Sequence, residues 1–210
     1  MNEREALDWF REAGESELGK FGESAWRNIF QFAGINFIPL CNIQDGGAPL
    51  MHGQVKTILP DFDVSTNRFN AYVDSKCKRK SVMYWKAKEV RHGIDRRNWQ
   101  HYVSISEFNR KRCLLGIIEL FDDSEHWSGS VLAQSLSILG SPISGFSNQS
   151  HMVYWPRNKF RLLAERIPPI DFITARSKMS ASVAMPTRLR FPVELLELLG
   201  AKERIQQSLF

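Results

Sequence analysis

Two acidic residues and a lysine in the first half of the chain have the types and spacing that suit hydrolysis of a phosphodiester bond. Asp61 follows Pro60, and after twelve intervening residues comes Asp74-Ser75-Lys76. Two carboxylates and a few waters hold Mg²⁺, which prefers hard oxygen ligands in octahedral geometry. A lysine two positions past the second carboxylate projects from the same face of a strand and reaches the attacking water or the phosphate. The pattern therefore indicates metal-assisted attack of water on phosphate.

The strand predicted over residues 68–77 carries the second carboxylate. Its small, mostly apolar side chains alternate with a polar set made up of Asn70, Tyr72, Asp74 and Lys76. The alternation places the last two of these side by side on one face. Because aspartate is disfavoured within strands, its position in this run favours a functional role.

The first carboxylate lies in a second predicted strand, residues 55–64. Proline within such a run indicates an edge position or a strand end. Asp63 shares the strand parity of Asp61, so it remains an alternative or additional ligand, although Asp61 is the residue that follows the proline.

A helix predicted from Leu18 to Ala33 precedes these strands. Its apolar residues recur at helical spacing, and Glu23 falls at the edge of the apolar arc, next to the core. Glu15 and Glu17 compete with it as the acidic residue nearest the strands.

Further elements complete the order of the fold. We expect a strand at 35–43, a loop at 92–95 ending in the helix cap Asp95, and a helix to about residue 109 with Trp99, Tyr102 and Val103 inward. A central strand at 113–120, a helix at 131–139, a strand at 152–155 and a helix at 192–199 follow. This order predicts an α/β fold with a mixed central sheet flanked by helices.

These residues and this order of elements resemble the PD-(D/E)XK nuclease superfamily, whose fold is restriction-endonuclease-like or Holliday-junction-resolvase-like. The resemblance covers residues 18–163. It implies a nuclease-like domain over residues 1–165 and a C-terminal extension over residues 166–210, packed on the same domain or used for oligomerisation. It also implies a divalent-metal-dependent endonuclease that uses Mg²⁺, with Mn²⁺ as a substitute.

The resemblance also assigns roles to individual residues. It implies that Lys76 is the catalytic lysine and that the metal is bound by Asp61, Asp74, Glu23 and the backbone carbonyl of Ser75. Gln100 resembles a polar residue that several branches of the superfamily place near the site. The predicted supporting residues are Gln100, His92 and Asp63.

The distribution of charge favours a nucleic acid, most simply DNA, as the partner. Residues 74–112 hold twelve Lys/Arg against four Asp/Glu, within a chain of net charge +5. A solvated basic face is the alternative. The predicted phosphate contacts are Lys78, Arg79, Lys80, Lys86, Lys88, Arg91, Arg96 and Arg97.

Three widely separated cysteines and the absence of a long apolar run indicate a cytoplasmic protein without a membrane span. Two other functions stay open, namely a nucleic-acid-binding module or assembly subunit that does not cut alone, and an RNA-processing nuclease. A second copy of the chain and a different protein both stay open as partners.

Overall fold

The computed structural model of the chain describes residues 5, 8–9, 12–40, 50–52, 55–65, 69–78, 82–84, 88–123, 126–146, 149–167 and 191–199. The helices are α1 (Glu15–Phe32), α2 (Arg96–Asn109), α3 (Leu136–Leu139) and α4 (Phe191–Leu199). The strands are β1 (Ile38–Pro39), β2 (Leu50–His52), β3 (Val55–Thr57), β4 (Phe62–Asp63), β5 (Ala71–Lys78), β6 (Val82–Tyr84), β7 (Glu89–Asp95), β8 (Arg112–Asp123), β9 (His126–Ser135), β10 (Ile143–Ser144), β11 (Met152–Pro156) and β12 (Arg161–Ile167).

A six-stranded mixed sheet forms the centre of the fold, in the order β1-β4-β5-β8-β9-β12. β5 and β8 pair in parallel over eight residue pairs, and the other neighbours are antiparallel. The chain between β5 and β8 supplies α2 and two strands of a second, four-stranded sheet, β10-β11-β7-β6. A parallel pair requires such a crossover connection.

Two apolar clusters cover the two faces of the central sheet. One joins α1 and α4 to the sheet through residues such as Trp26, Phe30 and Leu195, all fully buried. The other joins α2 to the sheet through Tyr102 and Ile105. The predicted mixed α/β fold, with a central sheet between helices, is therefore confirmed.

Helix α1 is fixed at its start and close to the strand that carries the second carboxylate. The Glu17 carboxylate accepts a hydrogen bond from the Gly14 amide at 2.8 Å, which satisfies a donor that precedes the first turn. At Gly22 an added Cβ would lie 3.2 Å from Cβ and the backbone nitrogen of Cys77 on β5. This close approach holds α1, and with it Glu23, next to the Lys76 end of β5.

Replacing Gly116 by alanine is expected to destabilise the fold, because the new Cβ would lie 2.3 Å from the ring of Trp26 in the core. Overpacking of this kind costs about 1–3 kcal/mol or more. Gly19, in α1, has nothing within 4 Å of an added Cβ, and Gly19→Ala should stabilise the helix by about 0.5–1 kcal/mol. Urea denaturation of both variants checks the contrast; equal effects would contradict this packing.

Two predicted elements are wrong. The helix predicted at 131–139 is wrong over its first half, because residues 131–135 belong to strand β9 and only α3, a short turn, is helical. Residues 131–136 are buried throughout, so both faces of the strand are covered and its residues lack the alternation of a half-exposed strand.

The predicted loop at 92–95 is also wrong, since these residues belong to β7 and pair with β11. An added Cβ at Gly93 would meet the Tyr154 ring at 2.4 Å, so this glycine allows the close approach of two strands. The cap at Asp95 is confirmed, because its carboxylate accepts a hydrogen bond from the Arg97 amide at 2.7 Å.

The strand predicted at 55–64 consists of two short strands, β3 and β4, and Pro60 precedes β4 at its start. β4 has a partner on each side, so the strand end, and not the sheet edge, accounts for the proline. Among the described residues, none of the helices combines the length and apolarity needed to span a membrane.

Candidate active site

The second carboxylate, Asp74, lies in the middle of β5 and its side chain is fully buried. Its Oδ1 accepts hydrogen bonds from Lys76 Nζ at 2.8 Å and from the Tyr102 hydroxyl at 2.7 Å. Its Oδ2 is buried and has no hydrogen-bond partner among the described residues. An acceptor oxygen that is buried and unsatisfied in a charged group is costly, and such atoms call for a ligand or water.

The first carboxylate, Asp61, is bound to the same strand just before β4 begins. Its Oδ2 accepts hydrogen bonds from the Ser75 amide at 2.6 Å and from the Ser75 hydroxyl at 2.7 Å. The Ser75 carbonyl accepts a hydrogen bond from Lys76 Nζ at 3.2 Å. The amide and the carbonyl of Ser75 therefore both form hydrogen bonds with side chains of the site. We call Asp61, Asp74, Ser75, Lys76 and Tyr102 the carboxylate site.

Burial and neighbouring charges affect the protonation of Asp61 and of the lysine. Burial, reinforced by the negative charge of Asp74, raises the pKa of Asp61 to about 7, although Lys76 and the Ser75 hydrogen bonds act in the opposite direction. Burial lowers the pKa of Lys76, but Asp74 and Asp61 outweigh that effect and raise it. The lysine is therefore a cation at neutral pH, and the Asp61 carboxyl group is about half protonated near pH 7.

Tyr102 is a residue of the site that sequence reasoning placed only in the core. It is 2% exposed, and burial together with the charge of Asp74 raises its pKa well above the usual range, so its hydroxyl keeps its proton and donates to the carboxylate. Gln100 is exposed two positions earlier, and residues two apart on a helix do not share a face. The polar support expected from Gln100 comes from Tyr102 instead.

Replacing Tyr102 by phenylalanine is expected to lower any metal-dependent activity of the site by about tenfold, because outer partners that orient a ligand matter to that extent. The metal-free protein should also lose about 1–3 kcal/mol, since a buried charged acceptor loses a donor. Kinetics and denaturation measure both effects. Tyr154→Phe is the matched control, since the Tyr154 hydroxyl donates to Gln149 at 2.8 Å away from the site, and its activity should not change.

Glu23 lies on α1 near the lysine, as the close packing of α1 on β5 requires. Its negative charge contributes to the raised pKa of Lys76. Its carboxylate is 3.9 Å from the Arg27 guanidinium, and its side chain is 42% exposed. Glu23 is therefore a neighbour of the carboxylate site on the side of Lys76.

Asp63, the alternative to Asp61, is held elsewhere. Its carboxylate accepts hydrogen bonds from the Lys111 ammonium at 2.6 Å and from the Ser65 amide at 3.0 Å. Asp63 pairs with Tyr72 in the strand register, two residues before Asp74 on β5. Its charge is balanced by a lysine outside the carboxylate site, which leaves Asp61 as the acid next to Asp74.

His92 is buried in β7, where it was expected in a loop. It is 2% exposed, and its Nε2 lies 2.8 Å from the Glu119 carboxylate. Its ring also contacts Phe160 edge-on, with the ring centroids 5.7 Å apart. A histidine buried in this way contacts a phosphate at the surface only through another residue.

The donor set of the carboxylate site fits a hard divalent cation. One carboxylate has an unsatisfied buried oxygen, and the pKa of the other is raised by burial and then by the charge of the first, so a bound cation would relieve their repulsion. The part of the chain that the structure describes contains no group of three or more His, Cys, Asp or Glu residues close enough to hold a metal ion. Water and the Ser75 carbonyl would complete such a site.

The predicted phosphate contacts fall into several classes. Lys88 and Arg97 are exposed. Burial, followed by the charge of Lys76, lowers the pKa of Lys78, which is half-buried. The Arg91 side chain is only 10% exposed and is paired with Glu89, so a phosphate contact by Arg91 requires that pair to open. Arg96 is half-buried; the predicted contacts that lie outside the described residues are Arg79, Lys80 and Lys86.

The chain has structural likenesses among solved proteins but no match among protein families. No protein-family model matches the sequence, and no curated protein matches it. Among solved structures, that of Archaeoglobus fulgidus Hjc, a Holliday junction resolvase from an archaeal hyperthermophile, aligns with a TM-score of 0.41 and 10% sequence identity. The alignment covers 67% of this chain and 90% of that chain. We base the functional proposal on the geometry of the carboxylate site.

Proposed function

We propose that this protein is a divalent-metal-dependent nuclease that hydrolyses phosphodiester bonds, with DNA as its substrate. The observation that carries the proposal is the buried Asp74. One of its oxygens is unsatisfied, the other is held by Lys76 and Tyr102, and its charge acts together with burial to raise the pKa of Asp61. A structural aspartate in a strand interior has no need of a second carboxylate. This arrangement is suited to a cation and a phosphate.

Asp61, Asp74 and the Ser75 carbonyl would hold Mg²⁺ or Mn²⁺, with Glu23 reaching it through water. The cation would polarise the phosphate and make water a better nucleophile at neutral pH. Lys76 lies 2.8 Å from Asp74 and 3.2 Å from the Ser75 carbonyl, and its side chain is 26% exposed, so its ammonium faces the place where substrate must lie.

Lys76 acts as a hydrogen-bond donor in this mechanism. Its raised pKa keeps it protonated, so it orients the attacking water and stabilises negative charge on the phosphate. The water oxygen forms a bond to phosphorus, the bond from phosphorus to the leaving oxygen breaks, the proton of the water passes to solvent, and the leaving oxygen takes up a proton from solvent. Tyr102 and Ser75 keep the two carboxylates in place during this step.

The test is a cleavage assay with Mg²⁺ or Mn²⁺ on plasmid, linear duplex, single-stranded and branched DNA, and on RNA. We expect metal-dependent cutting by the wild type that is lost in Asp74→Ala and in Lys76→Ala. Cutting confined to RNA would assign the protein to the RNA-processing nucleases. Cutting that survives in both variants would contradict the proposed site.

The second candidate is a nucleic-acid-binding module, or an assembly subunit that does not cut alone. It is favoured by exposed basic residues that follow β5 in the chain, such as Lys88 and Arg97, which suit phosphate binding whether or not the protein cuts. Tight, salt-sensitive binding without cutting on any substrate would support it. Mixing with a partner protein, or dimerisation detected by light scattering, then distinguishes the subunit from the module, since duplex cutting needs two sites or one that moves.

A further inference from the structure

A second charged cluster lies next to the carboxylate site and takes no part in the mechanism above. Glu119, on β8, is fully buried. Arg157, in the short turn after β11, donates to both of its carboxylate oxygens, with Nε at 3.0 and 2.9 Å and Nη2 at 2.7 Å. His92 lies against the same carboxylate at 2.8 Å. We call these three residues the arginine cluster.

The strand register places the arginine cluster on the face of the sheet that carries Asp74. Glu119 shares parity with Leu115 and Ile117, which belong to the same apolar cluster as Tyr102. In the parallel pair of β5 and β8, Ile117 pairs with Lys76 and Glu119 lies one step further along the face. At about 3.3 Å per residue and about 4.8 Å between strands, the Glu119 backbone is about 8 Å from that of the lysine.

Hydrogen bonds to both Glu119 oxygens orient the guanidinium of Arg157, and the arginine side chain is partly exposed. Burial would raise the pKa of Glu119, but its contacts with His92 and Arg157 outweigh burial and lower it, so the carboxylate stays ionised. The charge of the arginine is therefore fixed by an acid behind it, while its own side chain remains 34% exposed. A guanidinium oriented in this way is suited to phosphate oxygens, because little side-chain entropy is left to lose.

The exposed part of Arg157 lines a recess of about 190 Å³ together with Glu89, Val90, Pro156 and Asn158. Glu89 is the acidic residue of this lining. It accepts a hydrogen bond from Nε of Arg91 at 2.6 Å and forms an ion pair with the same guanidinium. Its charge is therefore offset at the wall of the recess. A recess of this volume is large enough for a phosphate group with its waters.

We propose that the arginine cluster is a binding subsite for a backbone phosphate that flanks the bond cut at the carboxylate site. This inference rests on the proposed function for the identity of the ligand, a nucleic acid strand. Arg157 contacts the phosphate, and Glu119 and His92 are positioning residues that hold the guanidinium. The contact belongs to the sugar–phosphate backbone, so it contributes affinity and register without selecting a sequence.

The test measures binding of fluorescent duplex and single-stranded DNA over a series of salt concentrations, without divalent metal. Arg157→Gln should weaken binding about fivefold to tenfold at ~0.1 M salt and reduce the slope of log affinity against log salt by about 0.9 on duplex or about 0.7 on single strands. The matched control is Arg161→Gln, because Arg161 is also paired with a glutamate, Glu197, at 2.9 Å, but at an exposed position. The control should leave the affinity and the slope unchanged.

A second variant separates phosphate binding from a structural role. Arg157→Gln alone leaves Glu119 buried without its main partner and costs stability. The double variant Glu119→Gln with Arg157→Gln removes both charges and is expected to recover much of that stability. If the double variant binds as weakly as Arg157→Gln, the inference stands; if it recovers wild-type affinity, the arginine is structural and the inference fails.

The outcomes also distinguish this inference from the proposed function. Wild-type cutting with an Arg157→Gln variant of unchanged affinity and slope overturns the subsite and leaves the nuclease. No cutting, with affinity lost in Arg157→Gln and in the double variant but kept in Arg161→Gln, keeps the subsite and overturns the nuclease. When cutting occurs, Arg157→Gln should raise KM and leave kcat nearly unchanged, as expected for a contact made equally in the ground and transition states. A wild type that binds no nucleic acid overturns both.

Discussion

Replacing Asp74 by asparagine is expected to lower metal-dependent cleavage by about 10³-fold or more, while the protein remains folded. The amide has the size of the carboxylate and still accepts hydrogen bonds from Lys76 and Tyr102, which lie 2.8 and 2.7 Å from Oδ1. It lacks the charge that would bind the cation. Without metal, DNA binding should tighten about twofold to tenfold, because a negative charge that repels phosphate has been removed.

Asp63→Asn is the matched control for that loss. Asp63 lies two residues from Asp61, but its carboxylate pairs with Lys111 at 2.6 Å. We expect this variant to lose some stability and to keep its cleavage rate within about threefold. If single-turnover cleavage instead falls equally in both variants, Asp63 is a ligand and the assignment of Asp61 beside Asp74 is wrong.

Metal binding is expected to weaken about tenfold for each pH unit below 7 and to level off above it, because Asp61 must lose a proton with a pKa of about 7 before it binds a cation. Titration calorimetry with Mn²⁺ in buffers of different ionisation enthalpy measures this. About one proton should be released for each Mn²⁺ bound at pH 6, and much less at pH 8.

The same proton makes the stability of the metal-free protein depend on pH. The folded pKa of Asp61 lies above the unfolded value of 3.8, so between about pH 4 and 7 the folded state holds one more proton than the unfolded chain. Its contribution is present in full below pH 4 and is lost as pH rises to 7, at about 1.4 kcal/mol per unit. Urea denaturation in EDTA should show this slope as a difference between the wild type and Asp61→Asn. A difference that does not vary with pH would contradict the raised pKa.

The polar face of β5 could be predicted from the sequence because its geometry is local. Strand side chains alternate with a period of two, so the spacing of Asp74 and Lys76 places them on one face whatever the rest of the chain does. The 2.8 Å contact between their side chains follows from that spacing. The packing of α1 on β5 was also accessible, through the helical recurrence of its apolar residues.

The contact from Tyr102 to Asp74 could not be predicted, because it joins residues 28 positions apart on different elements. Helical periodicity correctly placed Tyr102 inward. Which inward residue lies above a given strand position depends on the axial shift and rotation of α2 over the sheet, and a single sequence carries no record of these. One signal was available in the sequence. A tyrosine in a core needs a hydrogen-bond partner for its hydroxyl, and this tyrosine lies on the helix that follows the strand with the carboxylate.

The errors at β7 and β9 have a different physical origin. In both cases tertiary packing produces a strand where the local sequence pattern is typical of another element. Gly93 is a loop signal in isolation, yet here it leaves room for the ring of Tyr154, its partner on the neighbouring strand. Likewise, a strand covered on both faces has no polar side with which to show its period.

The shortness of β4 has a consequence for how this site could evolve. β4 pairs with β5 only at Val73 and Tyr72, and beyond that point the Ser75 amide donates to the Asp61 carboxylate at 2.6 Å where a longer neighbour would offer a carbonyl. An insertion that lengthened β4 by one residue pair would replace this carboxylate–amide hydrogen bond with a backbone hydrogen bond between the two strands. It would also draw Asp61 out of reach of a cation. The length of the loop before residue 62 is therefore part of the proposed chemistry. A descendant of this protein in which that length changed would keep the fold and lose the reaction.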